Sequence, residues 1–169
     1  MKKKIIQITF VILEKKSWKN ISIEDVKRKT NLKVFDDLIK DKRDLLKKIN
    51  QYIDYELSKK LIHLETSNNK DMLFEIIMMR FDILQNYRKG MLSIFHSFKK
   101  NPEQLIFLLP DILDSINLML KNSNFSSKGV SGQLKIKGLF IIYTSVFFVW
   151  ASDNTSSLDK TMIALDNYL

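Results

Sequence analysis

An all-α fold is what this sequence predicts, and three observations carry the prediction. Turn formers for a sheet protein are scarce, with 4 Gly and 2 Pro among 169 residues. Hydrophobic residues make up 45% and recur at spacings of three and four rather than in alternation. The breaks between these periodic stretches carry helix-start chemistry, at Ser22, at Asp41 and at Ser156–Ser157. The length suits one domain, or a small module fused to a larger body.

The first helix is expected from about Lys2 to Lys16, burying Ile5, Ile6, Thr9, Phe10, Ile12 and Leu13. Trp18 follows in the break, as a lid on the core. Ser22 caps a second short helix, about Ile23 to Lys29, with Glu24 and Asp25 in its first turn. Thr30–Asn31 ends it, and a third short helix falls near Val34 to Ile39. Asp41 caps the fourth, with Asp44 at its third position and an apolar stripe through Leu45, Leu46, Ile49, Ile53, Leu57 and Leu61. Thr66-Ser67-Asn68-Asn69 is a polar break before a fifth helix, about Lys70 to Gln85. A sixth covers about Tyr87 to Lys100 and stops at Asn101–Pro102. Pro110 is expected to split the next stretch into Pro102–Leu109 and Asp111–Asn122. After a loop from Ser123 to Lys128, a long helix covers about Val130 to Ser152. A last one, capped by Ser156 or Ser157, covers about Leu158 to Tyr168. The count is roughly nine helices, with no internal repeat.

Charge is unevenly placed. The first 60 residues hold 17 Lys/Arg against 9 Asp/Glu, whereas residues 61–169 hold 11 against 10. A basic front end on a near-neutral remainder fits a nucleic-acid module on a neutral body. The layout agrees: two short helices joined by a tight polar turn behind a longer amphipathic helix form a helix-turn-helix. Cysteine is absent, which excludes disulfides and thiolate chemistry. The two histidines, His63 and His96, are far apart in sequence, and His96 reads as a hydrogen-bonded core residue. Carboxylate pairs sit at helix starts and on polar faces. No metal spacing or catalytic constellation appears, so neither an enzyme nor a cofactor is expected. The Met-Lys-Lys-Lys start is followed by an apolar run, Ile5 to Leu13, interrupted by Gln7 and Thr9. It lacks a small-residue cleavage site, so a cytoplasmic location is expected. The uncharged run Leu139 to Ala151 is well short of the roughly 20 residues that span a bilayer, so no transmembrane segment is expected.

With these elements in place, the chain resembles the TetR family of transcriptional regulators over nearly its whole length. Ser17–Trp18 stands at that family's Gly-aromatic turn, and Ile21-Ser22-Ile23-Glu24-Asp25-Val26 at the start of its second helix. Asn31–Leu32 stands at the helix-turn-helix turn, and Asp41-Lys42-Arg43-Asp44-Leu45-Leu46 at the start of its fourth helix. The C-terminal run Lys137-Gly138-Leu139, Tyr143, Val149-Trp150-Ala151-Ser152-Asp153 and Asp159-Lys160-Thr161-Met162-Ile163-Ala164-Leu165-Asp166 resembles a bacterial TetR-like subgroup. The body of that subgroup is also similar to the TetR-like lipid-binding accessory protein of ubiquinone biosynthesis. One departure stands out. Between Asn31–Leu32 and Asp41 the chain is about two residues shorter than the family motif, and Leu38–Ile39 replaces its aromatic pair.

The resemblance implies a three-helix head over residues 1–47 and a ligand-binding and dimerisation body of five to six helices over 48–169. It implies a homodimer through 130–152 and 158–168, placing two heads on successive major grooves of double-stranded DNA. Base readout would fall to Lys33, Asp36, Asp37 and Lys40, and phosphate contact to Ser22, Lys27, Arg28, Lys29 and Lys42. Asp36 and Asp37 are unfavourable near phosphates, since only cytosine N4 or adenine N6 offers them a donor. In the body, Phe74, Met78, Phe81, Phe95, Ile112, Ile116, Met119, Tyr143, Phe147 and Trp150 are the candidate lining of a pocket for a small apolar or lipid ligand. The expected function is a TetR-like repressor. The alternative is a TetR-fold lipid-binding accessory protein that has lost DNA recognition.

Overall fold

A computed structural model describes residues 1–64, 68–126 and 128–169. Among these the chain is all-helical: α1 (Lys2–Leu13), α2 (Ile23–Thr30), α3 (Phe35–Leu38), α4 (Lys42–Lys60), α5 (Asn69–Gln85), α6 (Arg88–Phe98), α7 (Pro102–Asn122), α8 (Gly129–Ser152) and α9 (Asp159–Tyr168). Short 3-10 turns at Trp18–Asn20 and Leu61–His63 follow α1 and α4. Of the polar break expected at 66–69, Thr66 and Ser67 lie outside the described residues, as does Ser127 in the later loop. Asn68 caps α5, its side-chain oxygen accepting the Asp71 N–H at 2.9 Å.

Two expectations about helix ends need correction. Pro110 does not split α7, which runs unbroken from Pro102 to Asn122. Proline removes the donor that the Ile106 carbonyl would use. Ile106 is 71% exposed, so water can take that carbonyl, and the helix continues. Nor do Ser156 and Ser157 cap the last helix. Its N-cap is Leu158, in the left-handed region at φ 57°, with no side-chain cap of its own.

The chain forms two compact units, Met1–Tyr55 with Leu84–Asp111, and Glu56–Ile83 with Ile112–Leu169. The boundary therefore falls inside α4, α5 and α7, the last just after Pro110.

In the first unit, α1 buries Ile5, Ile6, Thr9, Phe10, Ile12 and Leu13, as its 3.6-residue spacing predicts. Phe10 stacks on Tyr87 with ring centroids 4.2 Å apart, and the hydroxyls of Tyr87 and Tyr52 lie 3.0 Å apart. This close approach requires glycine at position 90, where an added Cβ would lie 2.6 Å from the Phe10 ring. Trp18 is buried, as a lid should be. Its backbone N–H donates to Ser93 Oγ at 2.7 Å and its indole N–H to Gln104 Oε1 at 3.1 Å. The break after α1 is thereby tied to α6 and to the first turn of α7.

In the second unit, Asp153 supplies the missing cap of α9. Its fully buried carboxylate accepts the backbone N–H and hydroxyl of Thr155 at 3.0 and 2.6 Å, and those of Thr161 at 2.9 and 2.8 Å. Thr161 is the third residue of α9, so a carboxylate eight residues back satisfies a donor its own N-cap leaves open. Burial pushes this carboxyl's pKa up, but the four hydrogen bonds outweigh it and hold the pKa far below the ordinary carboxylate range. With a depressed folded-state pKa, the stabilisation is full above the unfolded value, about 4, and is lost as pH falls below it. Asp153→Asn is therefore expected to cost about 1–3 kcal/mol at neutral pH. Thermal melts of the two proteins should converge as pH drops from about 5. A gap that stays constant with pH would show that the charge of Asp153 contributes nothing.

Candidate nucleic-acid interface

The region from α2 to the start of α4 is built from local signals. At the start of α2, Ser22 Oγ accepts the Asp25 N–H at 3.0 Å, and Asp25 Oδ2 accepts the Ser22 N–H at 3.3 Å, a reciprocal capping box. Asn31 ends α2 in the left-handed conformation, φ 49° and ψ 43°, its N–H donating to the Lys27 carbonyl. Asp41 Oδ1 accepts the Asp44 N–H at 2.7 Å at the start of α4, and Asp44 Oδ2 accepts the Lys40 N–H at 3.1 Å. Between these two fixed ends α3 has room for four residues. Phe35 points into the core, fully buried, and Ile39 follows it in.

This geometry places the nine candidate DNA residues as follows. Lys29, Lys33, Asp37 and Lys40 are exposed. Lys27 is exposed and bonds Asp36 Oδ2, an ion pair that ties α2 to α3. Arg28 is exposed and reaches Asp25 Oδ1 at 2.9 Å. The Ser22 hydroxyl is engaged in its capping box. Lys42 is turned inward. Its ammonium donates to the carbonyls of Trp18, Lys19 (3.3 Å) and Ile21 (2.9 Å), and lies 5.0 Å from the Trp18 ring centroid. Burial lowers its pKa. The bonding of Lys42 to three carbonyls makes it a brace for the break between α1 and α2.

The basic flank of α2 extends to the turn that follows α1. Lys16 Nζ reaches Asp25 Oδ2 at 3.1 Å. The Lys16 hydrogen bond, then the Ser22 N–H, hold the Asp25 carboxyl below its ordinary pKa. Lys15 and Lys16 were not among the residues singled out from the sequence.

The candidate pocket residues divide between the units. Phe95 belongs to the first, half-buried, its ring 5.9 Å from that of His96. His96 itself is exposed, which corrects the expectation of a core histidine. The other nine belong to the second unit. Phe81, Ile116, Met119, Tyr143 and Trp150 are buried there, and Phe74, Met78, Ile112 and Phe147 half-buried. Phe81 stacks on Tyr143 at 5.3 Å, and Trp150 lies 6.3 Å from Phe81 and 5.2 Å from Phe147. Sequence reasoning missed Arg80, 3% exposed, whose Nε donates to Tyr143 Oη at 3.0 Å. Its position was legible: 80 continues the buried series 73, 76, 77, 81 and 84, so a charged residue on that stripe has to be buried and bonded. On α7, Asn117 Oδ1 is buried with no hydrogen-bond donor among the described residues.

Among the described residues the longest helix is α8. Leu139–Ala151 is part of a 24-residue helix which, by length and composition, is apolar enough to cross a membrane, with mean hydropathy 1.5 over its best window. Core helices of other folds meet the same criterion. One side of α8 is buried, through Leu139, Tyr143, Val146 and Trp150. The other exposes Val130, Leu134, Ile141 and Phe148.

No protein-family model matches the sequence, and no curated protein matches it either.

Replacing Lys42 by Met should lower unfolding free energy by about 1–3 kcal/mol, since three carbonyls lose a charged donor. Lys33→Ala and Lys40→Ala should stay within about 0.5 kcal/mol of the parent. Urea titrations of the three variants check this. A Lys42→Met protein as stable as the parent would remove Lys42 from the brace.

Proposed function

We propose that this chain is a TetR-like, DNA-binding transcriptional regulator, acting as a homodimeric repressor with a body that senses a small apolar effector. The observation that carries the reading is the α2–α3 pair, joined at a left-handed Asn31 behind α1 and exposing Lys27, Arg28, Lys29, Lys33 and Lys40. In this reading the head holds duplex DNA mainly by its phosphates. A four-residue α3 with two exposed acids offers few base contacts. The apolar faces of α8 and α9, with Val130, Leu134, Ile141 and Phe148 on one and Met162 and Ile163 on the other, support pairing with a second copy. Positions 134, 141 and 148 repeat every seven residues, the spacing of a helix-pairing seam. The aromatic cluster around Phe81, Tyr143 and Trp150, with Arg80 and the undonated Asn117 oxygen, supports an effector that is mostly apolar and carries a hydrogen-bond donor.

A second reading has its own support. The single turn of α3 and the inward Lys42 favour a TetR-fold lipid-binding accessory protein without DNA recognition, of the kind that serves ubiquinone biosynthesis.

Fluorescence anisotropy with random duplex DNA at rising salt separates the two. Phosphate-dominated binding predicts an affinity that falls steeply with salt. Charge reversal at Lys27, Arg28 and Lys29 should flatten that slope by about 0.9 per phosphate contact removed. Absence of binding at low salt, together with lipid in the purified protein by mass spectrometry, decides for the accessory protein. For the dimer, sedimentation equilibrium is expected to give twice the chain mass, and Ile141→Asp with Phe148→Asp is expected to return it to one. A double variant that stays dimeric would move the interface away from α8.

A further inference from the structure

A cleft of about 390 Å³ opens between the end of α1 and the flank of α2, lined by Ile12, Lys15, Lys16, Asp25, Arg28 and Lys29. All six residues belong to the first unit. Ile12 is 7% exposed and lies at the floor, and the methylene stems of the cations give the walls an apolar lining. The cleft lies on a different side of α2 from Lys27, which pairs with Asp36 of α3.

Its charge is lopsided. Four cations surround one carboxylate, and that carboxylate is already engaged by the Ser22 N–H, by Lys16 and by Arg28. Lys15 and Lys29 have no ion-pair partner among the described residues. The carbonyl ends of α1 and α2 add partial negative charge, about half a unit each, which leaves the cleft at about +2. A solvated basic helix end accounts for Lys27, Arg28 and Lys29 on α2 alone. Lys15 and Lys16 reach the same concavity from the turn that follows α1, a segment separate in sequence from α2.

We propose that this cleft binds a compact polyanion, a small molecule carrying at least two adjacent phosphoryl charges, with room against the apolar walls for an organic group beside them. A concave site encloses a small ligand, whereas the convex backbone of a rigid duplex would touch only its rim. The inference does not require the head to bind DNA. Arg28 and Lys29 are common to both sites, so an occupied cleft competes with DNA wherever the head binds it.

Isothermal titration of the full chain with inorganic pyrophosphate, without DNA, tests this. Saturable binding near one equivalent per chain is expected, weakened about tenfold or more by Lys15→Ala with Lys29→Ala. The pair Lys33→Ala with Lys40→Ala removes the same charge outside the cleft and should leave the affinity within about twofold. Equal weakening by both pairs would mean diffuse attraction and overturn the site, as would absence of saturation up to about 10 mM. Backbone amide shifts of the unmutated protein give an independent reading. They should move on adding pyrophosphate at residues 12–16 and 25–29, and movement confined to other residues would also overturn it.

Discussion

The burial of Trp18 is the constraint on which the first unit depends. An indole is the largest apolar group the chain can bury, and removing one from a core costs about 3–5 kcal/mol. It also carries an N–H that must find an acceptor. Gln104 supplies that acceptor, Ser93 takes the backbone N–H, and the Lys42 ammonium takes the carbonyl. Every polar group of this residue is therefore committed, each to a different helix. The break between α1 and α2 is fixed by these bonds, and with it the place where α2 begins.

From that anchor the short α3 follows. The capping box at Ser22 starts α2, and Asn31 ends it eight helical residues later. The Asp41 cap starts α4. The connection between them must put Phe35 and Ile39 into the core, and one helical turn spaces those two side chains correctly. The same arrangement turns Lys42 inward, because the start of α4 lies against the carbonyls of the Trp18 turn. What remains on the outer surface is a set of lysines held by little besides solvent, with Lys27 steadied by Asp36.

The second unit is governed by a comparable commitment. Leu158 enters α9 with positive φ, a strained geometry for a residue with a branched side chain. Asp153 makes it tolerable by accepting four hydrogen bonds across the connection. The connection then fixes the approach of α9 to α8, and the outer faces of both helices are left apolar. Arg80 and Tyr143 show the same rule in the core, where a buried charge is kept only with a bonded partner.

Periodicity and cap chemistry alone determined where most of the helices lie. The buried face of α1, the stripe through Leu45, Leu46, Ile49, Ile53 and Leu57, and the capping at Ser22 and Asp41 were all readable, because each depends on residues within one or two turns. Charge placement marked the basic front end for the same reason. Tertiary structure decided the rest. Pro110 stays within a helix because the carbonyl it orphans belongs to a residue at the surface. Lys42 is inside because a turn more than 20 residues earlier in the chain offers it three carbonyls. Asp153 caps a helix it does not adjoin, and Lys15 and Lys16 share a cleft with α2. These are contacts between segments separated in sequence, and local propensity carries no information about which segments will meet.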